Sequence, residues 1–154
     1  MSESNKPNTQ QVGRCGELLV QYRLLRSGID SAPMTTDYGI DLLAYDRKTD
    51  KTVSIQVKTS THRTDETDPT SKSKWVVWDK GEQDIAQFIA AVDWNREKVW
   101  LFKIGEFEKY ATGSEGRWLW WYVPDHKPER TTITRSEEDF ASFNMDTVIA
   151  TLFN

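Results

Sequence analysis

The chain has 154 residues, of which 37% are apolar, and its net charge is −4. The length suits one domain with its own core, and the charge argues against a strongly basic nucleic-acid coat, though not against a nucleic-acid enzyme. No apolar run approaches the ~20 residues of a membrane helix, the N-terminus lacks a signal peptide's apolar core, and the lone Cys15 excludes an internal disulfide. We therefore expect a cytoplasmic protein with a single domain over residues 1–154, beginning with a disordered tail over residues 1–8.

An amphipathic helix is predicted over residues 10–27, because apolar side chains recur there at helical spacing. Asn8 and Gln11 have the spacing of a capping box, and Gly28 is well placed to end the helix. We expect the apolar stripe to face the core and Glu17 to border it. The stripe consists of Val12, Cys15, Leu18, Leu19, Tyr22 and Leu25.

A β-hairpin is predicted after a short strand near residues 29–33. Its strands are "GIDLLAYD" (39–46) and "TVSIQVKTS" (52–60), and the polar turn 47–50 joins them. The second strand alternates apolar and polar residues, which is typical of a strand with one buried face.

The length of that turn sets the register of the hairpin. Asp46 is expected to pair with Lys51, so that Asp41 lies opposite Gln56 and shares a face with it. Lys58 is two residues beyond Gln56 and points the same way. The predicted register therefore places a carboxylate, an amide and an ammonium group together.

Residues 60–74 contain no apolar residue and have a central proline, so a long loop is predicted there. His62 lies in this loop without a partner His or Cys, and we expect it to be solvated. The loop follows the polar strand directly, and some of its side chains are candidate phosphate contacts. These candidates are Ser60, Arg63, Lys72 and Lys74.

The rest of the chain alternates strands with short helices. The order of elements predicts an α/β fold with a mixed central β-sheet flanked by helices, one from each end of the chain. The predicted elements are a strand at 74–79, a helical turn at 81–88, a hairpin of 88–94 with 98–104, a helix at 106–111, a strand at 117–124, and a C-terminal helical region opened by a capping box at 136–139.

Four polar residues occupy positions where apolar ones are expected. Buried carboxylates are costly unless they are paired or bound to metal, so the group indicates a salt-bridged network or a divalent-metal site. Oxygen ligands without a Cys or His cluster favour Mg²⁺ or Mn²⁺ over Zn²⁺, and such a site suits phosphodiester hydrolysis. The four residues are Glu17, Asp41, Gln56 and Lys58.

The same residues resemble the motifs of the PD-(D/E)XK nuclease superfamily, which includes restriction enzymes, Holliday-junction resolvases and homing endonucleases. The matching segments are "GE" at 16–17, "GID" at 39–41 and "IQVK" at 55–58. The resemblance covers residues 10–104 and implies a restriction-endonuclease-like core, with residues 105–154 as a C-terminal helix-strand-helix elaboration.

The resemblance also implies roles for individual residues. Asp41 would be the first metal carboxylate, Gln56 would take the Asp/Glu position, and Lys58 would be the motif lysine that assists the attacking water. Glu17 would be the helical acid of resolvase-like members, and the main-chain carbonyl of Val57 would be a further metal ligand. The implied cofactor is Mg²⁺ or Mn²⁺.

Two positions depart from the superfamily pattern. Ile40 stands where a proline often precedes Asp41, and Gln56 makes the motif a QxK variant with a neutral oxygen donor. The sequence thus predicts a metal-dependent DNA endonuclease. The alternatives are an inactive nuclease-fold domain that binds nucleic acid or protein, and an aromatic-rich domain that binds small molecules or proteins.

The strand "WLWWYV" (118–123) is apolar on both faces, which is typical of a central strand or of an interface. Double-strand cutters of this size often need two active sites. We therefore expect a homodimer or a higher homo-oligomer acting on duplex or branched DNA.

Overall fold

The structure is a computed structural model that describes residues 5–36, 38–82 and 85–154. None of the described helices is long and apolar enough to span a membrane. The helices and strands are α1 (Thr9–Arg26), β1 (Asp30–Pro33), β2 (Leu42–Asp46), β3 (Lys51–Ser60), β4 (Arg63–Thr64), β5 (Lys74–Asp79), β6 (Phe88–Asp93), β7 (Lys98–Lys103), α2 (Ile104–Tyr110), β8 (Trp118–Tyr122) and α3 (Met145–Ile149), with 3₁₀ turns at Ser114–Gly116 and Glu137–Phe143.

Both predicted ends of α1 are confirmed. The main-chain N–H of Gln11 donates to Oδ1 of Asn8 at 2.9 Å, and the N–H of Asn8 donates to Oε1 of Gln11 at 2.8 Å. At the other end Gly28 has a φ of +80°, and a Schellman pair of main-chain hydrogen bonds closes the last turn. Asn8 of the predicted tail is thus the N-cap, while residues 1–4 of that tail lie outside the described residues.

The predicted mixed sheet is confirmed, and a second sheet accompanies it. The larger sheet has the order β1-β2-β3-β6-β7, in which only the β3–β6 pair is parallel. A smaller antiparallel sheet has the order β4-β5-β8. The sequence pattern did not separate the sheets, because alternation shows that a segment is a strand but not which strand it pairs with.

The larger sheet lies between two apolar cores. On one face α1 and the C-terminal α3 pack against alternate residues of its strands, as expected for helices from the two ends of the chain. On the other face the smaller sheet and α2 pack around three tryptophans. The rings of Trp78 and Trp121 lie 4.7 Å apart, and those of Trp100 and Trp121 lie 4.9 Å apart. The indole N–H of Trp78 donates to the carbonyl of Val92 in β6, which fastens the two sheets together.

The stripe on α1 does not face the core as predicted. Leu18, Tyr22 and Leu25 are 50%, 54% and 66% exposed, and Cys15 is also exposed. The buried residues of α1 are instead Gly16, Val20 and Leu24. The reason is that α1 has two apolar faces, and spacing alone does not tell which of them packs on a sheet.

Two predicted irregular segments also differ. The loop after β3 contains strand β4, which pairs with the start of β5, so the smaller sheet gains an edge strand. The predicted helical turn at 81–88 is not helical in its described residues, and Gln83 and Asp84 within it lie outside them. The C-terminal helical region is confirmed, as a 3₁₀ turn followed by the short α3.

Gly16 sets the distance between α1 and β3. A Cβ atom at this position would collide with the side chain of Thr59, whereas one at Gly13 would meet nothing within 4 Å. The hydroxyl of Thr59 is buried without a hydrogen-bond partner among the described residues. The "GE" pair is therefore a contact point, where the missing side chain lets α1 carry Glu17 close to the sheet.

We predict opposite effects for two glycine substitutions in α1. Gly13→Ala should raise the free energy of unfolding by up to about 1 kcal/mol through helix propensity. Gly16→Ala should lower it by about 1–3 kcal/mol, because the methyl group overpacks the contact with Thr59. Chemical denaturation measures both, and adding Thr59→Ala should rescue Gly16→Ala. Equal behaviour of the two alanine variants would contradict the close approach.

Candidate active site

Asp41 lies just before β2 rather than within it, and it is held to β3 by two hydrogen bonds. Its main-chain N–H donates to the carbonyl of Ile55 at 3.0 Å, and its carboxylate Oδ2 accepts from the N–H of Val57 at 2.6 Å. The predicted register is confirmed from Asp46, which pairs with Lys51, to Leu42, which pairs with Ile55, and the ladder ends one residue before the predicted pair of Asp41 with Gln56. The Asp41 carboxylate therefore sits at the β3 backbone, between the two motif residues that flank Val57.

Glu17 of α1 reaches the same place from the other side. Glu17 and Asp41 both line a cavity of about 250 Å³ between α1, the end of β1 and the segment before β2. Arg14 also lines this cavity, and its guanidinium lies 2.6 Å from the Glu17 carboxylate. The cavity thus brings two carboxylates and one compensating cation together.

Gln56 and Lys58 lie on β3 next to this cavity but are not among its lining residues. Val57 packs against the core beneath α1, so strand alternation turns its two neighbours toward the face that carries the smaller sheet. Gln56 is 6% exposed and Lys58 is partly exposed. The geometry brings Glu17 and Asp41 together in one cavity, whereas Gln56 and Lys58 flank Val57, whose N–H donates to Asp41.

The oxygen atoms at the site can be compared with the ligands that Mg²⁺ takes in proteins. The described residues contain no group of three or more His, Cys, Asp or Glu side chains that could hold a metal. Two carboxylates in one cavity still suit Mg²⁺, because this ion is commonly held by one or two carboxylates and keeps several waters. The other oxygen donors of the predicted set, the Gln56 amide and the Val57 carbonyl, belong to β3, which Asp41 contacts at the Val57 N–H.

The candidate phosphate contacts differ in exposure. Arg63 and Lys72 are exposed, and Lys74 is partly exposed. Ser60 is 4% exposed, and its hydroxyl accepts a hydrogen bond from the N–H of Val77 in β5 and donates to the carbonyl of Thr61. Burial and these two bonds give Ser60 a structural part in joining β3 to β5, so we leave it out of the nucleic-acid surface.

A buried polar network at the end of β6 is not evident from the sequence. Asp93 is fully buried, and its carboxylate lies 2.9 Å from Nε2 of His62 and 2.7 Å from Nε of Arg96. Arg96 makes a second, two-pronged contact with Glu137 near the C-terminus. The prediction of a solvated His62 is therefore wrong. The one available signal was Asp93 itself, an acid at the end of an apolar strand.

Comparison with known proteins adds to this geometry. No family model and no curated protein matches the chain. Among solved structures it matches the bacterial homing endonuclease I-Ssp6803I, with a TM-score of 0.58 and 16% sequence identity over 82% of each chain. The chain has a nuclease-like fold. This fold agrees with the α/β class predicted from the sequence, while the roles of individual residues rest on the contacts described above.

Proposed function

We propose that the protein is a divalent-metal-dependent DNA endonuclease of the PD-(D/E)XK type. The observation that carries the proposal is the position of Asp41. Its carboxylate shares a cavity with Glu17 and is bonded to the N–H of Val57, between Gln56 and Lys58. The nuclease-like fold and the similarity to a homing endonuclease support the same function.

Asp41 and Glu17 would hold the Mg²⁺ or Mn²⁺ ion, with Gln56 and the Val57 carbonyl contributing neutral oxygens. Polarisation of the scissile phosphate is the chemistry that such an ion supplies when bound. Arg14 neutralises Glu17 in the free protein, which lowers the repulsion between the two carboxylates.

Lys58 would orient the attacking water and offset the negative charge that develops on the phosphate oxygens. Its ammonium group is a compact charge on a flexible stem, which suits a role beside anionic oxygens. β3 is paired with β6 at this level, where Lys58 lies opposite Ala91, so the lysine projects from a hydrogen-bonded strand. Arg63, Lys72 and Lys74 would contact DNA phosphates beyond the site.

The neutral side chain of Gln56 favours a second candidate function, that of an inactive nuclease-fold domain that binds nucleic acid or protein. Gln56 attracts a cation less strongly than the carboxylate found at this position in the usual motif. The two candidates differ in one measurable property, which is metal binding that depends on Asp41.

We also propose that the protein works in the cytoplasm as a homodimer or higher homo-oligomer. Leu18, Tyr22 and Leu25 form an exposed apolar stripe on α1 at spacings of four and three residues. Such spacing lets one helix pack against another. A second copy would cover the stripe and supply the second active site for cutting both DNA strands.

Metal binding is the first test of the proposed function. Asp41→Asn should weaken Mn²⁺ binding by about tenfold or more, while its amide oxygen keeps the bond from Val57. Gln56→Glu should strengthen binding by at least about tenfold, because it adds a third negative charge near the ion. Titration calorimetry measures both, with Asp46→Asn at the far end of β2 as the control. Heat that does not depend on Asp41 would favour the inactive-domain candidate.

The second prediction concerns cleavage. Lys58→Met keeps the aliphatic stem but removes the charge, so Mg²⁺-dependent cleavage should fall by about 100-fold or more. Lys48→Met in the exposed turn before β3 is the matched control. The assay should compare duplex, branched and single-stranded DNA with RNA, in Mg²⁺ and in Mn²⁺. Full activity of Lys58→Met with an intact circular dichroism spectrum would refute the assigned role.

The third prediction concerns assembly. Light scattering should give at least twice the 17.9 kDa mass of one chain. Leu18→Glu with Leu25→Glu should shift the protein to the monomer, because charges would replace the apolar stripe. Gln10→Glu on the same helix is the control. A monomeric wild type at working concentration would remove the oligomer from the proposal.

A further inference from the structure

The outer face of the smaller sheet carries an aromatic pocket that is lined by none of the candidate active-site residues. The pocket has a volume of about 430 Å³, within the range of small-ligand sites. Its lining includes Asp65, Ser73, Trp75, Val77, Trp120 and Tyr122.

Strand alternation explains why these aromatic side chains point outward. On β5 and β8 the residues Val76, Trp78, Leu119 and Trp121 are buried in the core, which leaves their neighbours on the other face. Trp75 pairs with Tyr122, and Val77 pairs with Trp120, so the side chains of each pair are about 5 Å apart. Three aromatic rings thus stand around one aliphatic side chain.

The rings form walls at different angles rather than a flat patch. The ring centroids of Trp120 and Tyr122 are 5.5 Å apart and their planes meet at 84°. Trp75 stands across the pairing from Tyr122. A ligand group in the pocket meets aromatic surface from more than one direction, and the faces of aromatic rings carry negative potential.

A carboxylate completes the pocket. Both the side-chain hydroxyl and the main-chain N–H of Thr67 donate to Oδ1 of Asp65, at 2.7 and 3.0 Å. Both hydrogen bonds lower the pKa of Asp65, and the one from the Thr67 hydroxyl has the larger effect. The Asp65 carboxyl group is therefore ionised at neutral pH. The pocket therefore combines an anionic group with the negative faces of its aromatic walls.

We propose that this aromatic pocket binds a quaternary ammonium group. Such a group is attracted by ring faces and by a carboxylate, and it has no N–H bonds whose hydration would be lost inside an apolar wall. A phosphate would be repelled by Asp65. The proposal is independent of the nuclease function, because no pocket residue belongs to the candidate active site.

Choline and its uncharged isostere 3,3-dimethylbutan-1-ol test the proposal. The two have nearly the same shape, so a difference in affinity measures the contribution of the charge. Binding can be followed by tryptophan fluorescence and by calorimetry on the full chain. Choline should bind on the order of tenfold more tightly than the alcohol.

Variants locate the binding. Asp65→Asn should weaken choline binding several-fold and leave the alcohol unaffected, and Trp120→Leu should weaken binding of choline. Asp68→Asn is the matched control, since Asp68 makes the same pair of hydrogen bonds with Thr70 but does not line the pocket. Circular dichroism checks that each variant is folded.

Three results would overturn the proposal. Equal affinity for choline and the alcohol would show an apolar pocket without charge recognition. Tighter binding of nucleosides than of choline would make it a site for bases. Choline binding that is unchanged by Asp65→Asn and by a folded Trp120→Leu would place the ligand elsewhere.

Discussion

The hydrogen bond from the Val57 N–H to the Asp41 carboxylate is the contact on which the candidate site depends. It fixes the Asp41 carboxylate at the start of β2, beside β3, the strand that carries Gln56 and Lys58. An ionised acceptor makes this bond stronger than one between neutral groups. The same carboxylate thus has a structural part in the hairpin and, in our proposal, a chemical part in metal binding. We therefore expect position 41 to tolerate few amino-acid substitutions.

The rest of the fold keeps that contact in position. α1 approaches β3 closely at Gly16, which brings Glu17 to the shared cavity. On the opposite face the three core tryptophans hold the smaller sheet against the larger one. Aromatic pairs at these distances add stabilisation beyond the burial of their area. β3 is therefore packed on both faces, and it is paired with β2 along its first half and with β6 along its second half.

The sequence predicted the hairpin register well, because a four-residue turn between Asp46 and Lys51 leaves one natural pairing. The N-terminal cap of α1 was also predictable, because it depends on two residues, Asn8 and Gln11, that are close together in the sequence. The outward stripe of α1 was not, because Leu18 and Leu25 have the spacing of buried residues and only the packing against β3 decides which face is covered. For the candidate site, the sequence supplied the four residues. It did not show that Glu17 and Asp41 share a cavity that Gln56 and Lys58 do not line, since this depends on how α1 sits on the sheet.

The polar contacts from His62 through Asp93 and Arg96 to Glu137 join parts of the protein that are far apart in sequence. His62 follows the site strand by two residues, and Glu137 belongs to the C-terminal region. Asp93 is fully buried, so leaving its carboxylate without these partners would be strongly destabilising. The C-terminal region is therefore tied through Glu137, Arg96 and Asp93 to His62, just after the strand that carries Lys58, and it helps to hold the end of that strand.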